Sequence, residues 1–279
     1  MSFMPLGPCC LQGNTLKGEP RGEMQMAGTD GVHVDRYVAR PATNVDPKAA
    51  CILYYDVFGF NIVNPKLLAD RYADKLGIDV YVPDYIPGAP PADTLNSAVE
   101  MYPGEHAKQG IIGNILGKLT LFKIIPYLPR ILDRGTGPLV DKNIADLQAQ
   151  GYERLVALGY CRGGSMITYL LEKGDQSPLA AGAIFHPGWE PKRWPLFTKP
   201  TFWLLPEHDM NYTPTSVKQL EEAFAANPNA PFKLKIYSDT VHGFAARPSE
   251  KHAHTQEMFN EANDDAAAYL AQQLGFQSA

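Results

Sequence analysis

The chain has 279 residues, 45% of them hydrophobic and 20% charged, enough to bury one large core. Its net charge of −5 argues against nucleic acid as a partner, because phosphates call for a basic surface. The best apolar run is interrupted by Lys118, Lys123 and Arg130, short of the roughly 18 residues of a membrane span.

Met1 to Gly13 has no basic patch followed by a long apolar run, so a cleaved secretory signal is not expected. Cys9 and Cys10 are adjacent, Cys51 sits in a strand-like run, and Cys161 lies between glycines. Four cysteines so placed do not make a disulfide framework, and a reducing, cytoplasmic setting is expected.

Residues 1–30 are rich in Gly and Pro and read as an irregular lead-in. Val32 to Val38 alternates like an edge strand, and Ala49 to Val57 is a short apolar run of the kind buried on both faces. Helical spacing through Leu67, Leu68, Tyr72 and Leu76 predicts a helix over Asn64 to Leu76, closed by Gly77. Ile78 to Val82 is the next strand. Asp84 to Pro103 then reads as loop, studded with Pro87, Pro90, Pro91 and Pro103.

Ile111 to Ile125 is apolar nearly all round and is followed by Pro126 and Pro129. Such a helix is either core or covers something apolar. Membrane-surface and dimer contacts are open to it as well, but it interrupts the strand–helix cycle, which favours a lid over about 104–138. A helix is expected from Asp141 to Gln150, then strands over Arg154 to Leu158, Ala180 to Phe185, Thr201 to Leu205 and Lys233 to Tyr237. Further helices are expected at about Thr215 to Ala226 and His254 to Leu274. The sum is a single α/β domain over 1–279, a mostly parallel sheet with helices on both faces and chemistry at the carboxyl ends of its strands.

The sharpest motif is Gly159-Tyr160-Cys161-Arg162-Gly163-Gly164, directly after the strand RLVAL and before the helical run SMITYLL. A nucleophile on a strained strand-to-helix turn needs small neighbours, and a helix N-terminus favours a thiolate. The competing reading is a small buried cysteine beside a Gly-rich turn. Asp209 follows the strand TFWLL, and His242 follows KLKIY. Nucleophile, acid and histidine, each after a successive strand, is the chain order of an α/β-hydrolase triad. Glu207 and His208 are the rival acid and base. Two backbone N–H groups should form the oxyanion hole, on Arg162 after the nucleophile and on Val57 after the second strand.

GYCRGG, the D-V-F-G loop at Asp56 to Gly59, the E-H-D loop and VHGFAARP together resemble the dienelactone hydrolase (carboxymethylenebutenolidase) family. Fungal-type members also begin with a Cys-Cys-x-x-G stretch like Cys9 to Gly13. The resemblance implies an α/β-hydrolase fold in which Cys161 is the nucleophile, His242 the base and Asp209 its orienter. It also implies that Asp56 matches a thiol-contacting carboxylate, which is Glu in bacterial members, and that Phe58, Tyr85 and Arg247 lie at the substrate. Bacterial members hold a substrate carboxylate with two arginines. Here Pro83 to Pro87 offers none, and Arg247 comes one residue late.

The function expected is hydrolysis of a small-molecule lactone or ester through a thioester, with no cofactor or metal, by a monomer or homodimer. The alternatives are a non-catalytic thiol-sensing or binding protein on the same fold, and a hydrolase of polyketide or other secondary-metabolite esters. His252-Ala-His254 is read as a surface pair rather than metal ligands, and Gly113 to Lys118 lacks the spacing of a phosphate loop.

Overall fold

Short apolar runs that do not alternate must be covered on both faces, and that requirement organises this molecule. A computed structural model describes residues 15–29, 31–91, 94, 100–105 and 120–276. Its strands are β1 (Glu23–Gln25), β2 (Arg36–Ala39), β3 (Ala49–Tyr54), β4 (Asp79–Pro83), β5 (Arg154–Tyr160), β6 (Leu179–Phe185), β7 (Thr201–His208) and β8 (Phe232–Val241). They form one sheet in the order β1-β2-β4-β3-β5-β6-β7-β8. β1 and β2 run antiparallel to their neighbours, and β3 to β8 pair in parallel.

The helices are α1 (Asn64–Leu76), the single turn α2 (Leu128–Ile131), α3 (Asp133–Ala149), α4 (Arg162–Leu171), α5 (Pro214–Ala225) and α6 (Ala253–Gln273). α1 and α6 pack together on one face of the sheet, while α3 and α4 meet on the other. Between them β3 and β5 are wholly buried apart from Arg154, and Tyr54, Tyr160 and Trp203 lie in the core. α1 forms over the expected residues because Leu68, Tyr72 and Leu76 share a buried face and Gly77 ends it at φ 65°.

Three expectations need correction. β1 lies inside the predicted irregular lead-in, since three residues with mostly exposed side chains leave no apolar pattern to detect. α3 starts at Asp133 rather than Asp141, inside the span assigned to the lid. Gly135, Gly137 and Pro138 hid its first turns, but the buried Thr136, Val140, Ile144 and Leu147 hold them to the core. The predicted α-helix ending at Ile125 is instead a 3-10 helix over Thr120–Tyr127, leading directly into α2. Pro126 and Pro129 remove the N–H groups that an α-helical ladder would need there. Phe122, Ile125, Leu128 and Leu132 are exposed, whereas Ile131 is buried and Ile124 packs on the core. The stripe from Ile111 to Leu119, the phosphate-loop-like Gly113 to Lys118, and Cys9 and Cys10 lie outside the described residues.

Candidate active site

After β3 the chain crosses to β4 on one side, then returns past β3 to β5 on the other. Such a reversal opens a crevice at the carboxyl ends of the central strands. Asp56 follows β3 there and Cys161 follows β5, while His186, Asp209 and His242 follow β6, β7 and β8.

Cys161 sits at φ 52° and ψ −112°, a strained backbone for a residue with a side chain. Its N–H donates to the Phe185 carbonyl at 3.0 Å, and its carbonyl accepts from Ser165 N–H at 3.2 Å. The turn closes only because its flanks are glycine. A Cβ on Gly163 would lie 2.0 Å from the Tyr54 carbonyl oxygen, and one on Gly159 would lie 2.4 Å from the Gly163 backbone. Cys161 therefore sits, half-buried, at the start of α4. Arg162 is the first residue of that helix, so its N–H has no intrahelical acceptor.

His242 Nδ1 lies 2.8 Å from Asp209 Oδ2, and the Asp209 side chain is fully buried. Asp209 Oδ1 accepts from Asn211 N–H at 2.7 Å, which fixes the carboxylate from its other side. Burial alone would push the His242 pKa down, but the neighbouring Cys161 and the hydrogen bonds to Asp209 and Cys161 carry it up to about 10. Glu207 and His208 are exposed, and Glu207 accepts from the Asp239 N–H at 2.8 Å.

The Asp56 carboxylate is engaged by a backbone N–H and a guanidinium. Oδ1 accepts from Phe58 N–H at 3.0 Å, and Oδ2 lies 2.9 Å from Arg247 Nε. The Arg247 guanidinium also stacks 4.4 Å from the centre of the Phe58 ring. The residue expected to touch the thiol and the one expected to hold substrate are thus paired with each other. Tyr85 is fully buried, with its hydroxyl donating to the Tyr55 carbonyl, so it backs the site rather than facing solvent. Val57 is half-buried beside Asp56.

With this geometry in place, residues 34–274 match the dienelactone hydrolase family. The chain belongs to that family. It is 28% identical over 249 residues to Hydrolase pyvD of Aspergillus violaceofuscus, covering 88% of each chain. It is 26% identical to Dienlactone hydrolase 1 of Gibberella moniliformis, over 87% of this chain and 84% of that one. The carboxymethylenebutenolidase homolog of Homo sapiens is 22% identical, over 78% of each chain. Among solved structures, a dienelactone hydrolase-like promiscuous phosphotriesterase from metagenomic libraries superposes with a TM-score of 0.60. It is 16% identical, over 86% of this chain and 92% of that one. A thermophilic esterase from Thermogutta terrifontis, bound to propionate, gives 0.56 at 14% identity, over 93% and 97%. These structural likenesses show the α/β-hydrolase fold.

This dienelactone hydrolase family member carries two features at the site that the sequence reading passed over. The first is a charge cluster behind the elbow. Arg162 reaches Asp133 at 2.5 Å and Thr136 at 2.9 Å, while Arg193 contacts the same Asp133, Glu172 at 2.9 Å and Glu190 at 3.1 Å. Asp133 opens α3, so the base of the apolar segment, the residue after Cys161 and the β6–β7 connection meet at one carboxylate. The second feature is His186, fully buried, with its ring centroid 4.5 Å from that of His242. The only sequence signal for it was its place directly after a buried strand, in Phe185-His186-Pro187-Gly188.

His252 and His254 turn to other partners. His252 stacks on Tyr102, and His254 Nε2 lies 3.0 Å from the Ser238 carbonyl. Among the described residues, no group of three or more His, Cys, Asp or Glu side chains could hold a metal, and no helix is long and apolar enough to cross a membrane.

The buried acid has a pH consequence. Burial would raise the Asp209 pKa, but the hydrogen bond and charge of His242 more than offset this and hold it below the ordinary carboxylate value. A depressed native pKa stabilises the fold above the unfolded value and loses that contribution as pH falls through the native one. Asp209→Asn should therefore lose less stability than wild type between about pH 5 and about pH 2, where carboxylates titrate. Parallel urea melts would check this, and equal losses in both proteins would show that Asp209 is not a source of acid lability.

Proposed function

We propose that this hydrolase cleaves a small-molecule lactone or ester with Cys161 as nucleophile, through a thioester intermediate. The observation that carries the reading is a cysteine at a strained positive φ, facing a histidine whose other side is held by a buried aspartate.

The Cys161 thiolate attacks the carbonyl carbon while the N–H groups of Val57 and Arg162 donate hydrogen bonds to the developing oxyanion. His242, protonated, gives its proton to the departing alkoxide, leaving the acyl group on sulfur. Neutral His242 then takes a proton from water, which attacks the thioester, and the thiolate leaves to restore the pair. Asp209 keeps Nδ1 occupied, so that Nε2 does the proton transfers. Amides are poor substrates on this scheme, because sulfur departs from the tetrahedral adduct more readily than an amine.

Two features favour larger, apolar acyl groups over small anionic lactones. Arg247, the one arginine near the position expected for carboxylate recognition, is held by Asp56. The 3-10 segment offers exposed apolar side chains at Phe122 and Ile125.

A panel of aryl esters, lactones and thioesters tests the reading, with mass spectrometry of the protein quenched during turnover of a slow ester. An acyl adduct should map to Cys161 and be removed by neutral hydroxylamine, which cleaves thioesters much faster than oxygen esters. An adduct on a serine, or one that resists hydroxylamine, would refute the cysteine mechanism. A thiol sensor would react with alkylating reagents yet turn over nothing in the panel.

A further inference from the structure

His186 combines three features that are each unfavourable. Its φ is 32°, a conformation that disfavours any residue with a side chain. It is fully buried. Beyond a contact with its own backbone, neither ring nitrogen has a hydrogen-bond partner among the described residues. Backbone strain and an unsatisfied polar group in one buried residue point to a role other than packing.

The surroundings indicate what that role is. The His186 ring is tilted 54° against the His242 ring, 4.5 Å from it, with Phe244 beyond at 6.2 Å. The charged and titratable groups acting on it are His242, Asp209 and Arg247. Burial first, and then the positive charge of His242, push its own pKa well below the ordinary histidine value, so the ring is neutral. A neutral imidazole always has one acceptor nitrogen. Here that nitrogen has no donor among the described residues, and its ring lies against the imidazole that carries positive charge when Cys161 is a thiolate.

We propose that His186 is a positioning residue for His242, a neutral ring whose shape confines the His242 imidazole and whose acceptor edge favours its protonated form. The ring closes one side of His242, leaving it Asp209 on one edge and Cys161 on the other. Phenylalanine would close the same side without an acceptor, which explains why a polar ring is kept in a dry, strained position. The inference deepens the thiolate–imidazolium reading proposed above and rests on it.

The experiment follows Cys161 alkylation by iodoacetamide as a function of pH, which reports the ion pair without ester turnover. It uses the full chain as wild type, His186→Phe and His186→Asn, with thermal melts of each. His186→Phe should alkylate roughly tenfold more slowly at neutral pH, its reactivity curve moved up by about one pH unit. His186→Asn keeps an acceptor and tolerates a positive φ, so its curve should return most of the way to wild type. His186→Leu, smaller and also without an acceptor, replaces Phe with the same expected curve should the Phe variant fail to fold. A Phe or Leu curve that coincides with wild type overturns the role of His186 alone, as does an Asn curve displaced as far as theirs. A wild-type Cys161 that reacts only at strongly alkaline pH would overturn the nucleophile reading and this one with it.

Discussion

Cys161→Ala should lower ester hydrolysis by about 10⁴-fold or more, and His242→Ala should cost nearly as much. On the mechanism proposed the two residues act as one unit, so the double variant should be scarcely worse than either alone. Neither change should unfold the protein. Cys161 is half-buried, and its change to Ala removes one sulfur while leaving the Cβ and the backbone at φ 52° as they are, so no core cavity opens. The measurement is kcat/KM on the best ester of the panel, beside a melting curve for each variant. Independent losses that multiply in the double variant would mean that Cys161 and His242 do not share a step.

Gly163→Ala should be the most damaging single methyl group in the site. The added Cβ would stand 2.0 Å from the Tyr54 carbonyl oxygen and 2.6 Å from that of Tyr55. Both belong to the backbone at the end of β3, which is paired to β5 through Tyr54 and Gly159 and has no flexible side chain to swing aside. Either α4 lifts off the sheet or the strand end shifts. The cost is about 3 kcal/mol, at the upper end for overpacking, which lowers the melting temperature by roughly 6–12 °C in a domain of this size. Activity should fall further than stability, because the same shift moves Cys161 and the Arg162 N–H. Gly151→Ala is the control. Unlike Gly163 it has a positive φ, of 95°, and nothing lies within 4 Å of its Cβ, so only about 1 kcal/mol of backbone strain is expected. Equal losses in the two variants would mean that the close approach of α4 to β3 costs no more than the backbone strain at an open site.

Local chemistry made much of this protein legible before any coordinates. Runs such as Ala49 to Tyr54 and Arg154 to Leu158 cannot be exposed on either face, so they specify a covered parallel sheet on their own. α1 carries its boundary in Gly77, and the elbow carries its own in glycines 159, 163 and 164. In each case the cause lies within a few residues of the effect.

Where distant segments set the outcome, local pattern fell silent or misled. β1 exists because it pairs with β2, and α3 begins eight residues early because Val140 and Ile144 find the core across a Gly-rich start. From sequence Asp56 matched only a thiol-contacting carboxylate, and it is folding that brings Arg247 from beyond β8 to its other partner position. His186 was invisible for the same reason. One histidine after a strand is unremarkable until the sheet register sets β6 two strands from β8 and lays its ring against His242. Apolar periodicity and turn chemistry act over one or two turns of chain, so the sequence by itself determined the parallel strands, the elbow and the order of Cys161, Asp209 and His242 after them. Which charge meets which, and which ring lies on which, depends on distances between strands far apart in the chain, and only the tertiary structure decided those.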